Sequence, residues 1–267
     1  MSFVTERRGA LEFLRADTLG AAHGFSTRLG GVSEGHLAAL NLGVHRGDRP
    51  RNVLENYRRF AKAVGFDCKQ LVFTRQTHTD IVRAVDKADA GQGLIVPVEP
   101  ECDALVTNVP SLALAAFTAD CTPILLCDSV VGAAAAVHAG WRGTALGIVA
   151  NAVREMTQRY GCKPENIHAA IGPRIGACCF ETDRDVPDAM LAALGVDALP
   201  AIEVRGAKFH VDLGLLNAVW LRRAGVEAID LCTDCTCCQS DRFWSHRKVG
   251  NQRGSLAAII VCPAGNS

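Results

Sequence analysis

Three short apolar runs stand close together in the middle of the chain: Leu112-Ala113-Leu114-Ala115-Ala116-Phe117, Ile124-Leu125-Leu126-Cys127 and Gly132-Ala133-Ala134-Ala135-Ala136-Val137. Turn signals separate them, and each is too short for an ordinary helix. Their apolar side chains do not alternate with polar ones, which predicts strands buried on both faces. A helix is predicted to follow from near Thr144. Leu146, Val149, Val153, Met156 and Tyr160 step by 3, 4, 3 and 4 along one helical face, and Gly161 with Pro164 stops it.

Outward from this centre the pattern is mixed. Residues 26–50, rich in Gly, Asn, Asp and Arg, read as a long irregular segment. A helix is expected over 50–64, closed by Gly65 in a left-handed cap. Strands are expected at 71–73 and 81–85, flanking Gln76-Thr77-His78-Thr79-Asp80, and again at 167–171, 208–213, 226–231 and 256–261. A helix over 215–224 ends at Gly225. Strands and helices do not strictly alternate, so an α+β arrangement is favoured over a doubly wound one. Neither a linker nor a repeat divides residues 1–267, which read as a single domain.

Composition narrows the function. The chain has 267 residues, 49% hydrophobic and 21% charged, too apolar for a disordered protein. Its 28 basic and 28 acidic residues cancel, which argues against nucleic-acid binding through bulk positive potential. The longest apolar run, 130–137, is far short of a membrane span. Arg7, Arg8, Glu12, Arg15 and Asp17 break up the first 19 residues, so no signal peptide is expected. A cytoplasmic location with reduced thiols is the expectation, which makes the 12 cysteines packing residues, metal ligands or nucleophiles.

Four stretches carry candidate chemistry. Thr118-Ala119-Asp120-Cys121-Thr122-Pro123 puts a cysteine in a sharp turn between two buried strands, where rigid neighbours hold a nucleophile or a ligand well. Alone it reads more readily as a half-buried cysteine in a tight turn; Asp120 close by is expected to raise its thiol pKa, which suits a metal-held thiolate. His138-Ala139-Gly140-Trp141-Arg142-Gly143-Thr144 lies between a strand and a helix. Thr144 is expected as the N-cap, and Arg142 with the first N–H groups of that helix could hold a phosphate or carboxylate. His78 sits in a polar connection. His78, Cys121 and His138 are each expected at the end of a buried strand, and two imidazoles with a thiolate are a natural zinc set that leaves a fourth position open. The Cys232-Thr233-Asp234-Cys235-Thr236-Cys237-Cys238 stretch has no second zinc knuckle at ribbon spacing. Cys178-Cys179 is the only other tight pair, so both groups are expected to be packing thiols.

Taken together, these motifs resemble a known family. Thr27-Arg28-Leu29-Gly30-Gly31-Val32-Ser33, Leu40-Asn41-Leu42-Gly43 and Gly47-Asp48 are similar to the opening of the multicopper polyphenol oxidase, or laccase-domain, family. The Cys121 and His138 motifs, Asp103-Ala104-Leu105-Val106-Thr107, Ile171-Gly172-Pro173 and Trp244-Ser245-His246-Arg247 extend the resemblance over residues 20–262. It implies one domain of mixed, sandwich-like β-sheets flanked by helices, with zinc held by His78, Cys121 and His138. Bacterial members are regarded as purine nucleoside phosphorylases. They cleave adenosine, inosine and S-methyl-5'-thioadenosine with phosphate, and they deaminate adenosine. The residues expected to act on substrate are Cys121, Asp120 and Arg142, with Arg28, Asn41, Arg142, Gly143 and Thr144 binding nucleoside or phosphate. A monomer or small homo-oligomer is expected. The sequence departs from the family pattern at Thr79, where glycine usually follows the histidine, at Asn56-Tyr57-Arg58 and at Arg253-Gly254.

Three alternatives follow from the same residues. Copper-dependent phenol oxidation is disfavoured, because a multicopper centre draws on many His-x-His pairs and this chain has 8 histidines, none so spaced, with only three methionines. A metal-free cysteine hydrolase would use Cys121 as nucleophile and His138 as base. A zinc-held nucleoside-binding module without turnover is the non-enzymatic reading.

Overall fold

The computed structural model describes residues 3–97 and 100–265. Elements are numbered along the chain. One six-stranded sheet contains β1 (Phe3–Arg8), β2 (Leu11–Ala16), β3 (His23–Ser26), β4 (Leu71–Val72), β7 (Ala113–Thr118) and β15 (Leu256–Val261), in the order β1-β2-β3-β15-β7-β4. A second contains β5 (Val82–Ala84), β6 (Ala104–Thr107), β8 (Thr122–Asp128), β9 (Ala133–Ala139), β10 (His168–Ile171) and β14 (Ala228–Leu231), in the order β14-β10-β8-β9-β6-β5. β11 (Glu181–Thr182), β12 (Ile202–Arg205) and β13 (Lys208–Val211) form a small third sheet. Both large sheets are mixed: most neighbours are antiparallel, but β4–β7, β5–β6 and β10–β14 are parallel. The helices are α1 (Pro50–Val64), α2 (Trp141–Ala145), α3 (Ile148–Tyr160), α4 (Asp185–Leu194), α5 (Leu213–Arg223) and α6 (His246–Val249).

The unbroken apolar runs arise from four stacked layers. Leu125 and Cys127 of β8 and Ala134 and Ala136 of β9 face the first sheet, meeting Leu114, Ala116, Ala258 and Ile260. The alternate residues Ile124, Leu126, Ala135 and Val137 face Val149, Val153 and Met156 of α3 and Leu221 of α5. On the far side, Ala113, Ala115, Ala257 and Ile259 meet Tyr57 and Phe60 of α1. Each fully buried Leu, Ile or Val in these layers contributes about 1.5–3 kcal/mol. The expected mixed sandwich flanked by helices is therefore the fold. Among the described residues, no helix is long and apolar enough to cross a membrane.

α1 begins with Pro50 and ends at Gly65, whose φ of +94° lets its N–H bond to the Ala61 carbonyl. This helix also fixes the irregular 26–50 segment. Asn56 bonds to Ser33, Val32 and the Asn41 carbonyl, and the Tyr57 hydroxyl donates to the Leu42 carbonyl.

The helix predicted to start near Thr144 is divided in two. α2 opens at Trp141 behind Gly140, Gly147 adopts φ +72°, and α3 starts afresh at Ile148. Thr144 is not an N-cap: its N–H donates to the Gly140 carbonyl, and its side chain is buried and accepts from Asn217. Trp220 donates to the Thr144 carbonyl. These contacts from α5 hold the corner, and Leu146, expected on the buried face, is exposed as a result.

The β1–β2 hairpin and β3 were not apparent from the sequence, because charged residues interrupt their apolar positions. One of those charges is structural. Glu12 is 5% exposed and accepts from Arg7 at 2.9 Å and Arg242 at 2.6 Å. Arg242 also reaches Asp234 and Thr5, tying the 234–243 loop to the first sheet. Burial alone would raise the Glu12 pKa, but hydrogen bonds from Arg242 and Arg7 outweigh it and hold the carboxyl below its usual value of 4.5. Because the folded-state pKa is depressed, the stabilisation is present above pH 4.5 and is lost as pH falls through the lowered value. Glu12→Gln should cost ~2 kcal/mol at pH 7. In urea unfolding, the gap between variant and wild type should close at acid pH; a constant gap would remove the charge from the explanation.

Candidate metal centre and its cavity

Sheet register brings the three expected ligands together. Cys121 lies in the turn between β7 and β8, directly after Asp120, whose φ is +94°. His138 is the penultimate residue of β9, where its neighbour across the ladder is Pro123 of β8. His78 comes from the connection between β4 and β5 and adopts φ +63°. Their donor atoms all lie within 4.8 Å of one another, and Cys121 Sγ is 3.7 Å from His78 Nε2. The two imidazoles meet edge to face, with centroids 4.8 Å apart.

Asp103 orients this group. It immediately precedes β6, and because Ala104 pairs with Val137, Asp103 falls beside His138. The His138 N–H donates to the Asp103 carbonyl, and His138 Nδ1 lies 2.8 Å from Asp103 Oδ1. That contact leaves His138 Nε2 free for a ligand position. The same carboxylate accepts the N–H groups of Thr77, His78 and Thr79 and the Thr79 hydroxyl. Thr79, which stands where the family pattern has glycine, thus has a partner of its own. Asp103 appeared in the sequence reading only inside a family segment. The available signal was an acidic residue abutting the apolar run Ala104-Leu105-Val106.

The space between the donors is kept clear. A Cβ on Gly140 would lie 2.7 Å from His78 Cδ2 and 3.3 Å from Cys121 Sγ. Two imidazoles and a thiolate at this separation, around a position no side chain enters, fit a tetrahedral divalent ion with one open coordination site.

Electrostatics favour the ligand form of the cysteine. Burial would raise the Cys121 pKa, but the His138 and His78 imidazoles outweigh it and bring the thiol down to about 6. This reverses the expectation that Asp120 would raise it. The Asp120 carboxylate is engaged elsewhere, accepting from Thr236 Oγ1 at 2.7 Å and from the Arg247 N–H at 2.6 Å. Burial likewise disfavours the charged imidazole of His138, yet Cys121 and Asp103 together raise it. Burial would raise Asp103 too, but its hydrogen bonds from His138 and Thr79 hold it well below the usual carboxylate range.

A cavity of about 320 Å³ opens on the centre. His78, Asp120 and Cys121 line one side, while Trp141, Ile175, Phe180 and Leu213 supply apolar wall. His246, Arg247 and Arg253 complete it. Arg247 donates to the carbonyls of Cys179 and Glu181, and Arg253 to the Gly254 carbonyl and to His246 Nδ1.

Other expected substrate residues lie elsewhere. Arg142 is exposed and stacks on Trp141, 4.2 Å from the ring centroid, and is not in the cavity wall. Arg28 lies over Trp244 and donates to the Ser240 and Ala38 carbonyls. Asn41 is buried, bonding to Asp48, Gly43 and Ser255. Gly143 and Thr144 are buried residues of α2 outside the cavity lining, Gly143 with its backbone close to the Thr79 carbonyl. The cationic wall is formed by Arg247 and Arg253, which the sequence reading did not select.

Asp103→Asn should weaken divalent-metal binding by about 10–100-fold, as loss of a ligand-orienting carboxylate does. Competition against a chromophoric chelator measures it, and an unchanged affinity would show that Asp103 does not orient His138.

Comparison with known proteins agrees with the fold. A purine nucleoside phosphorylase of Deinococcus radiodurans is 40% identical over 255 residues, 95% of this chain and 94% of that one. Purine nucleoside phosphorylase YlmD of Geobacillus stearothermophilus is 35% identical over 263 residues, 97% and 96% of the two chains. The crystal structure of YlmD from Geobacillus stearothermophilus matches with a TM-score of 0.91 at 33% identity, covering 97% of this chain and 99% of that one. That of the Bacillus licheniformis hypothetical protein YfiH matches with a TM-score of 0.90 at 32% identity, covering 96% and 98%. Residues 22–263 match the family described as multi-copper polyphenol oxidoreductase laccase, and the chain belongs to that family.

Proposed function

We propose that the protein is a zinc-dependent purine nucleoside phosphorylase that accepts adenosine, inosine and S-methyl-5'-thioadenosine and also deaminates adenosine. The observation that carries this reading is one cavity joining a His78–Cys121–His138 centre, an apolar aromatic wall and two arginines. The relatives bearing the phosphorylase name, at 35% and 40% identity over nearly the whole chain, support it. His78, Cys121 and His138 would hold zinc, which when bound supplies positive charge and Lewis acidity toward a phosphate or water oxygen.

The chain's own groups suit the rest of the task. Trp141 and Phe180 offer flat apolar surface for a purine, while Arg247 and Arg253 offer cationic donors for phosphate. In phosphorolysis a phosphate oxygen bonds to C1′ as the C1′–N9 bond breaks, and the electron pair leaves with the purine. His246, in the same wall, is the group assigned to deliver a proton to the departing base. Asp120 is assigned a positioning role, since both its oxygens are committed to Thr236 and Arg247. In deamination, water adds at C6 of adenosine and ammonia leaves.

The test is product analysis on protein of measured metal content. Inosine with phosphate should give hypoxanthine and ribose-1-phosphate, and adenosine without phosphate should give inosine. Cys121→Ala should lose the zinc of this centre and phosphorolysis together, and full activity in that variant would sink the mechanism. Arg253→Met should raise KM for phosphate tenfold or more, about 1.4 kcal/mol.

A further inference from the structure

Away from the cavity's metal trio, Cys178, Cys179, Cys235 and Cys238 bring four sulfur atoms together, all within 4.8 Å of one another. Cys238 Sγ is 3.4 Å from the sulfurs of both Cys178 and Cys179. In sequence the two groups look unrelated, because the adjacent Cys178-Cys179 lacks the spacing of a second zinc-ribbon knuckle. The fold joins them through parallel strands. β10 and β14 are neighbours, and the segments leaving their ends continue side by side, with Arg174 and Cys235 forming a bridge and the Thr236 N–H donating to the Arg174 carbonyl.

Packing does not account for this cluster. A free cysteine usually serves as a small buried hydrophobe, yet Cys178 and Cys238 are exposed. Convergence of four sulfurs from two chain segments is instead what a tetrahedral thiolate site requires. With a zinc–sulfur bond of about 2.3 Å, the sulfurs of a tetrahedron lie about 3.8 Å apart, inside the range seen here. One of the four already has a backbone donor that favours a thiolate. The Gly176 N–H donates to Cys235 Sγ at 3.2 Å, and a Cβ on Gly176 would lie 3.2 Å from Cys178 Sγ. Cys235-Thr236-Cys237-Cys238 closes as a tight turn, with the Gln239 N–H on the Cys235 carbonyl. The sulfurs are too close together to enclose a cube of iron and sulfide.

We propose that these four cysteines bind a second zinc ion, a structural one. Binding displaces one proton from each thiol to solvent and leaves a dianionic zinc–thiolate group. Arg247, whose guanidinium donates to the Cys179 carbonyl, places a cation beside it. The ion ties the 174–180 segment to the 232–238 loop. It thereby fixes Ile175, Phe180 and the carbonyl that holds Arg247, which form one wall of the cavity.

Elemental analysis of protein purified under reductant tests this without reference to activity. Wild type should carry two zinc ions per chain. Cys121→Ala should retain one, and Cys235→Ser with Cys238→Ser should also retain one. If that double variant does not fold, cobalt substitution of the Cys121→Ala protein decides: thiolate-to-cobalt charge-transfer bands should persist although the cavity's thiolate is gone. One zinc or less in wild type with none in Cys121→Ala would overturn the proposal. So would a disulfide among the four cysteines, seen by peptide mass mapping of the purified protein, or iron in stoichiometric amount.

Discussion

A single buried carboxylate holds the candidate centre in shape. Asp103 takes hydrogen bonds from three successive backbone N–H groups of the 77–79 loop, from the Thr79 hydroxyl and from His138. Burying a charge is costly unless its hydrogen-bonding capacity is filled, and here it is filled by the very groups that have to be aligned. The loop that carries His78 has no strand or helix of its own to fix it. Its orientation is set by a residue whose position comes from the β6–β9 register. A shift of one residue in that register would turn Asp103 to the other face and take away both imidazoles' alignment at once.

The site is built from two kinds of structure. The metal side rests on the second sheet: β9 carries His138, Cys121 leads into β8, and Asp103, just before β6, supplies the alignment. The opposite wall comes from the segment after β10, from Trp141 of α2 and Leu213 of α5, and from the short α6 and the loop that follows it. Asp120 spans the two. Its backbone turns the chain into Cys121, while its side chain holds Thr236 and the Arg247 N–H. A carboxylate committed at both oxygens is poorly placed to carry protons but well placed to keep Arg247 at a fixed distance from the metal donors. The wall also has apolar support: Trp141 and Phe180 pack against the cluster of Met190, Val211, Leu213 and Leu216, and Phe243 and Trp244 join the core between the sheets.

Much of the centre was legible in the sequence because layered burial leaves an unmistakable trace. Residues 112–137 read as strands hidden on both sides, and they are. That His78, Cys121 and His138 meet could be anticipated from chemistry, since few residue sets suit a soft divalent ion, and the fold does bring them together. Tertiary decisions could not be read. The break at Gly147 depends on Trp220 and Asn217 of α5, which nothing near Thr144 announces. Asp103 carries no local motif, because its importance lies in the residue across the ladder. The four-cysteine group is invisible for a related reason: its halves are distant in sequence and meet only because β10 and β14 run in parallel. Arg142 was singled out by its motif, and Arg247 and Arg253 were passed over, because a local pattern shows which residues are unusual but not which way they face.

Cys121, His138 and Asp103 would also satisfy the geometry of a cysteine–histidine–aspartate nucleophile, and a lowered thiol pKa suits either chemistry. Two details weigh toward a metal. A nucleophilic triad has no use for a second imidazole, whereas His78 Nε2 stands 3.7 Å from the same sulfur, with its backbone in a left-handed conformation secured by Asp103. A triad also needs no gap between sulfur and imidazoles, whereas Gly140 preserves one that a methyl group would fill. Without a cation, the Cys121 thiolate has to lean on the buried His138, where charge is disfavoured. An ion at that gap would take up the thiolate charge and leave both imidazoles neutral, so the centre's electrostatics are best balanced with the ion in place.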